Sequence, residues 1–202
     1  MKPGMQSPDH EQIVGILLAA GRGTRFDPSG AQNKLLQITR QGDKVVVAAA
    51  KKLISALPQV TAVVRNVDDA VARELSALGC QLAICPEADQ GMGVSLVCAL
   101  TQRRHAAGWV IALADMPNVQ QSTIAVLADA LRKGADMVAP FYQGQRGNPV
   151  AFSSKHIDEL LQLGGDQGAR TLLKTHPLTK VEVDDPGIHH DIDTSADLNT
   201  TI

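Results

Sequence analysis

The stretch Ile13–Arg25, IVGILLAAGRGTR, constrains this chain more than any other. Ile13-Val14-Gly15-Ile16-Leu17-Leu18 is continuously apolar, the pattern of a strand buried on both faces in the middle of a parallel sheet. Ala19-Ala20-Gly21-Arg22-Gly23 then removes nearly all side-chain bulk, so a ligand can approach the backbone. Glycine tolerates positive φ and lets successive N–H groups converge on an anion. Arg25 adds a planar fork for phosphate oxygens, and Lys34 a mobile ammonium. A strand end, an open backbone and two cations predict a site for the phosphates of a nucleotide.

Two common phosphate loops do not fit. The dinucleotide fingerprint G-x-G-x-x-G fails because Phe26 stands where the third glycine belongs, and no segment supplies G-x-x-x-x-G-K-[ST]. The formal net charge of −2 gives no electrostatic footprint for nucleic acid or an anionic membrane. One tryptophan, one tyrosine and three phenylalanines are too few for a base-stacking platform. No apolar run approaches membrane-spanning length. Cys80, Cys85 and Cys98 lack metal-ligand spacing and read as buried free thiols, which points to a cytoplasmic location. Residues 1–12 are polar and read as a flexible tail ahead of one domain spanning 13–202.

The order of elements predicts an α/β fold: a single-domain, doubly wound, mostly parallel sheet. After the first strand come a helix at about 44–56, a strand at 61–65, a helix at Asp68–Leu78 ending at Gly79, and a short strand at Gln81–Cys85. A helix at Val94–Arg103, a strand at Trp109–Leu113, a helix at Thr123–Lys133 and a strand at Asp136–Ala139 follow. From Phe141 onward the alternation loosens.

Asp115, in Ala114-Asp115-Met116-Pro117, follows the apolar strand directly and so stands at the rim where open α/β sheets bind ligands. Its carboxylate suits Mg2+, which takes one or two protein carboxylates and completes its shell with water and phosphate oxygens. A partner carboxylate is offered by His189-His190-Asp191-Ile192-Asp193-Thr194, where Asp191 and Asp193 share one face of an extended segment. Thr194 or Ser195 is placed to cap a short helix containing Asp197 and Leu198. Adjacent histidines cannot face the same way in a strand, and no cysteine-histidine set at zinc spacing accompanies His189 and His190.

Taken together, LAAG-x-G-x-R followed by a lysine resembles the signature of the sugar-nucleotide-type nucleotidyltransferases, with their nucleotide-diphospho-sugar-transferase-like Rossmannoid fold. Gln145–Phe152, QRGNPVAF, and Leu163–Arg170, LGGDQGAR, narrow the resemblance to CTP:molybdopterin cytidylyltransferases and close MobA-like relatives. It runs from about Ile13 to Leu198. By this resemblance Arg25 and Lys34 serve the triphosphate catalytically. Leu18, Ala19, Ala20, Gly21 and Gly23 contact the nucleotide, as do Gln90, Gly91 and Ser95. Arg146, Asn148, Asp166 and Arg170 face the acceptor, and Asp115 and Asp193 bind Mg2+ or Mn2+. One departure is that Phe26–Asn33 is longer than the usual link between the arginine and the lysine, which puts the role of Lys34 in question.

The resemblance implies transfer of CMP from CTP to the terminal phosphate of molybdopterin, with a molybdoenzyme or its maturation chaperone as partner. The LAAG start is closer to cytidine-using than to guanosine-using members. Other readings stay open: another phosphorylated acceptor, a related oxidoreductase, or a non-catalytic pterin carrier.

Overall fold

The computed structural model describes residues 12–29 and 31–200. The proposed tail, up to residue 11, therefore lies outside the described residues. Gln12 is already tied to the fold, because its carbonyl accepts from the Ala107 N–H at 3.0 Å.

The centre is β1 (Ile13–Leu18), and its apolar run follows from burial on both faces. Ile13 and Leu17 pack with one apolar cluster, while Val14 and Ile16 pack with the other. Parallel partners flank it: β2 (Val60–Val64), itself paired with β3 (Gln81–Ile84), and on the other side β4 (Gly108–Leu113). Helices α1 (Val45–Ala56), α2 (Ala70–Ala77) and α4 (Gln121–Arg132) supply Leu53, Leu75 and Leu127 to the first cluster. Helix α3 (Met92–Gln102) supplies Leu96 and Leu100 to the second. At Gly15 α1 packs closely on the sheet, for a Cβ there would stand 2.9 Å from the Leu53 Cγ. These elements agree with the expected ones to within one or two residues, the usual scatter at frayed ends.

The loosened stretch after Phe141 contains strands that periodicity does not reveal. β5 (Met137–Tyr142) turns through Gln143 and Gly144, at φ 51° and 75°, into the two-residue β6 (Gln145–Arg146). Two consecutive positive φ values match the twist of a tight hairpin, and glycine at the second makes the turn inexpensive. β7 (Val150–Ser153) then inserts antiparallel between β4 and β5, so those two are not neighbours. β8 (Thr179–Glu182) pairs parallel with β5 at the far edge. The short helices α5 (Ile157–Leu160) and α6 (Leu172–Thr175) close the second face, burying Leu160, Leu172 and Leu173.

After β8 the chain crosses back over the carboxyl edge of the sheet, and Asp185 anchors it there. This carboxylate is 2% exposed. It accepts from Thr123 Oγ1 at 2.6 Å, from the Gln120 N–H at 2.8 Å and from the Gly187 N–H at 3.0 Å. Replacing it by alanine strands three donors, two of them buried, and a buried donor costs about 1–3 kcal/mol when left unpaired. Asp185→Ala should therefore lower unfolding free energy in urea by about 3 kcal/mol or more, whereas an exposed control such as Asp158→Ala should change it by less than about 0.5 kcal/mol.

Candidate active site

Because β1, β2, β3 and β4 are parallel, their carboxyl ends gather the glycine-rich loop, Arg65, the Pro86–Gly91 turn and Asp115 on one edge. Ala19 continues the ladder by donating to the Val63 carbonyl, and Ala114 by donating to Leu18. Beyond Ala19 and Ala20 the backbone opens onto a cleft of about 320 Å³, lined also by Gly21, Arg22, Gln32, Asn33, Arg65 and Asp69.

The two glycines of the loop do different things. Gly23 has φ +65°, and a Cβ there would meet the Lys34 Cγ at 3.0 Å, so backbone and packing both require glycine. Gly21 does not share this positive φ, and a Cβ on it would meet nothing within 4 Å. Its bareness keeps the cleft open. The longer link Phe26–Asn33 is organised by Asp27, which accepts from the Ser29 hydroxyl and N–H and from the Gln32 N–H. These bonds, the Ser29 hydroxyl foremost, hold the Asp27 carboxyl below the ordinary aspartate value. Asn33 then caps the short 3-10 turn Lys34–Leu36 by accepting from the Leu35 N–H.

That turn delivers Lys34 to the carboxylates rather than to the open loop. Its Nζ lies 2.7 Å from Asp115 Oδ2, 3.0 Å from the Ile192 carbonyl and 3.5 Å from Asp193 Oδ1. The side chain is 10% exposed. Asp115 and Asp193, distant in sequence, are thus joined through one ammonium, and the backbone reinforces the join: the Ile192 N–H donates to Asp115 O at 2.8 Å. Arg25, mostly exposed, reaches Asp193 Oδ2 at 2.5 Å. The three oxygens around Lys34 form a hard donor set of the kind that Mg2+ and Mn2+ take.

Asp191 does not join this group; it lines a separate cleft. The expected cap runs in reverse, for Asp197 itself accepts from the N–H groups of Asp193 and Thr194 and from the Thr194 hydroxyl. A residue inside the turn holds the backbone before it, and among the described residues neither the Thr194 nor the Ser195 side chain caps the turn. His189 and His190 go to different partners, Gln145 and Asn118.

Gly91, at φ +124°, starts α3, and a Cβ there would stand 2.2 Å from the Gly165 backbone. The Gly93 N–H donates to Gly165 O at 2.9 Å. The two glycine-bearing loops therefore interlock, and Gly91 serves that packing whatever else it touches. Ser95 is buried within α3, and Gln90 ends the turn before it. Arg146, Asn148 and Arg170 share a cleft of about 250 Å³ with His189 and Asp191, while Asp166 is an exposed loop residue outside its lining. The thiols are free, Cys80 and Cys85 buried and Cys98 partly exposed, and burial pushes Cys80 up to about 11.

Sequence reasoning missed one constellation. Asp89 is clamped by Arg22 and Arg65, and Arg65 Nε also donates to the Ala20 carbonyl at 2.6 Å. The available signal was Arg65 itself, a cation placed at the carboxyl end of an apolar strand. Arg22 first, and Arg65 after it, hold the Asp89 carboxyl well below the usual carboxylate range. A carboxyl depressed in this way keeps its pairing as pH falls through the ordinary aspartate range and loses it only in stronger acid. In side-chain carboxyl NMR, Asp89 should titrate below the exposed aspartates, and Arg22→Ala should move it upward toward them.

A bare loop, two cations and paired carboxylates at the carboxyl edge of a parallel sheet define an enzyme that handles nucleotide phosphates. Residues 15–181 match the MobA-like NTP transferase domain, and the chain belongs to that family of nucleotidyltransferases. It is 30% identical over 203 residues to the purine catabolism protein PucB of Bacillus subtilis (strain 168), covering 94% of each chain. The crystal structure of Rv0371c from Mycobacterium tuberculosis H37Rv is similar at 28% identity and TM-score 0.80, over 93% of this chain and 95% of that one. Rv0371c has also been solved in complex with manganese. Molybdopterin-guanine dinucleotide biosynthesis protein A from Archaeoglobus fulgidus shares the fold at 21% identity and TM-score 0.67, over 92% and 95% of the two chains. No helix among the described residues is long and apolar enough to cross a membrane.

Proposed function

We propose that this enzyme transfers CMP from CTP to the terminal phosphate of molybdopterin, releasing pyrophosphate. The observation that carries the reading is the convergence of Asp115 and Asp193 on Lys34 beside the bare Ala19–Gly23 loop. An acceptor phosphate oxygen bonds to the α-phosphorus of CTP as the bond to the β-phosphate oxygen breaks, and pyrophosphate carries away the electron pair. Asp115 and Asp193 would hold Mg2+, with Mn2+ as an alternative, and the metal when bound supplies charge neutralisation to the phosphoryl oxygens. The loop backbone positions the triphosphate, and the exposed Arg25 swings from Asp193 to meet charge growing on the leaving group. Lys34 keeps the two carboxylates together through the cycle. Arg146, Asn148 and Arg170 offer cationic and amide contacts to a phosphorylated acceptor.

The names of two relatives support a nucleotide-handling role and set the controls. The archaeal neighbour is named for a molybdopterin dinucleotide carrying guanine, and PucB for purine catabolism. The direct test is pyrophosphate release with each of the four nucleoside triphosphates, with and without molybdenum-loaded pterin and with other phosphorylated acceptors. Pterin-dependent release with CTP supports the reading; release that ignores the pterin, or none, overturns it. Asp115→Asn and Asp193→Asn should each lower turnover by orders of magnitude while circular dichroism stays native.

Base choice has its own test. Ala20 lines the cleft but is only 5% exposed, and its carbonyl is pinned by Arg65. The wall is therefore stiff, and a stiff, closely packed wall here would crowd a purine more than a pyrimidine. CTP should be preferred over GTP, and Ala20→Gly should relax the preference by a methyl-sized ~1–3 kcal/mol in relative kcat/KM.

A further inference from the structure

At the opposite, amino edge of the sheet, three metal-ligating side chains converge. His156 lies in a short 3-10 turn directly after β7, Glu159 in α5, and His176 just after α6. That they are far from Asp115 follows from the register, since β7 ends where β4 begins, with Ser153 beside Gly108. His156 Nδ1 is 3.1 Å from Glu159 Oε1, and His176 Nε2 is 3.3 Å from Glu159 Oε2. One ligand atom from each of the three lies within 4.8 Å of the others. Ligands held at zinc–nitrogen and zinc–oxygen distances in a tetrahedron are about 3.3 Å apart.

Hydrogen bonds orient the two imidazoles of this cluster. The Thr175 hydroxyl donates its one proton to the Leu172 carbonyl at 3.2 Å, so at 3.0 Å from His176 Nδ1 it accepts. The proton of a neutral His176 ring is then on Nδ1, and a bare Nε2 lone pair faces the Glu159 carboxylate. Two acceptors at that distance need a cation between them, either a proton on Nε2 or a metal ion. Oriented in this way by a neighbour at its other nitrogen, an imidazole is arranged as metal-binding histidines are. His156, 8% exposed, has an Nε2 that is buried without a hydrogen-bond partner among the described residues. That atom lies across the ring from Nδ1, the nitrogen that meets Glu159, so Nδ1 is the one turned to the cluster.

We propose that His156, Glu159 and His176 bind Zn2+, with its fourth position turned to the cleft of about 340 Å³ lined by Asp136, His156, His176 and Thr179. Two imidazoles and one carboxylate suit a borderline cation better than Mg2+. Such an ion cross-links Glu159 to His176 and closes off residues 160–175, the segment that carries Asp166 and Arg170 and interlocks with Gly91. The ion steadies the loop from the far side of the sheet, without entering the chemistry.

The test uses the full-length protein stripped by chelation and titrated with Co2+ in excess Mg2+, which saturates oxygen-only sites but does not compete for imidazole. One equivalent of Co2+ should give the visible absorption of a four-coordinate site, and Zn2+ should displace it. Because His156 is buried, its replacement risks the fold, so the two partly exposed ligands carry the comparison. His176→Ala and Glu159→Gln should each weaken Co2+ binding by more than the ~10–100-fold that loss of an outer-shell partner costs, while Asp115→Asn keeps the spectrum. Hydrogen exchange across 161–171 should slow with Zn2+ in the parent and not in His176→Ala. Absence of the spectrum, its loss in Asp115→Asn, or its persistence in both ligand variants would overturn the proposal.

Discussion

One buried ammonium organises the functional edge of this molecule. Lys34 Nζ touches Asp115, Asp193 and the Ile192 carbonyl, three acceptors from two segments that meet only in three dimensions. Two carboxylates drawn this close repel each other, and the largely buried ammonium between these two partly exposed ones offsets that repulsion. The chain invests heavily in keeping it in place. Asp27 folds the preceding loop, Asn33 caps the turn that carries the lysine, and Gly23 leaves room for its stem. On the other side, Asp185 and the Ile192–Asp115 backbone bond fix the segment that brings Asp193.

The same edge shows how arginines divide their work. Arg25 is mostly exposed, and among the described residues its ion pair is with Asp193. Arg22 and Arg65 instead share Asp89, and Arg65 adds a bond to the loop backbone at Ala20. This ties the loop after β1 to the turn after β3. Three arginines that follow the carboxyl ends of β1 and β2 and look alike in sequence thus take different partners.

Much of the site was legible because its chemistry is carried by short, local patterns. An apolar run that collapses into glycine and alanine says where a strand ends and where a backbone lies bare, and an aspartate after a second apolar run says where a carboxylate meets the same rim. In the structure Ala19–Gly23 and Asp115 follow the adjacent carboxyl ends of β1 and β4. Strands β7 and β8 were not legible: four residues are too few to show a period, and their burial depends on neighbours from elsewhere in the chain. The role of Gly91 was obscured in the same way, since nothing near it in sequence announces Gly165.

By itself, then, the sequence determined the class of the sheet, the position of the glycine-rich loop and the residue types available for chemistry, because each depends on periodicity or on the properties of single side chains. Only the tertiary structure decided that Lys34 belongs to the carboxylates, that Asp89 is held by two arginines, and that His156, Glu159 and His176 meet behind the sheet. Such pairings are set by distances across folded segments, and strand order and crossing loops fix those distances only once the whole core has packed.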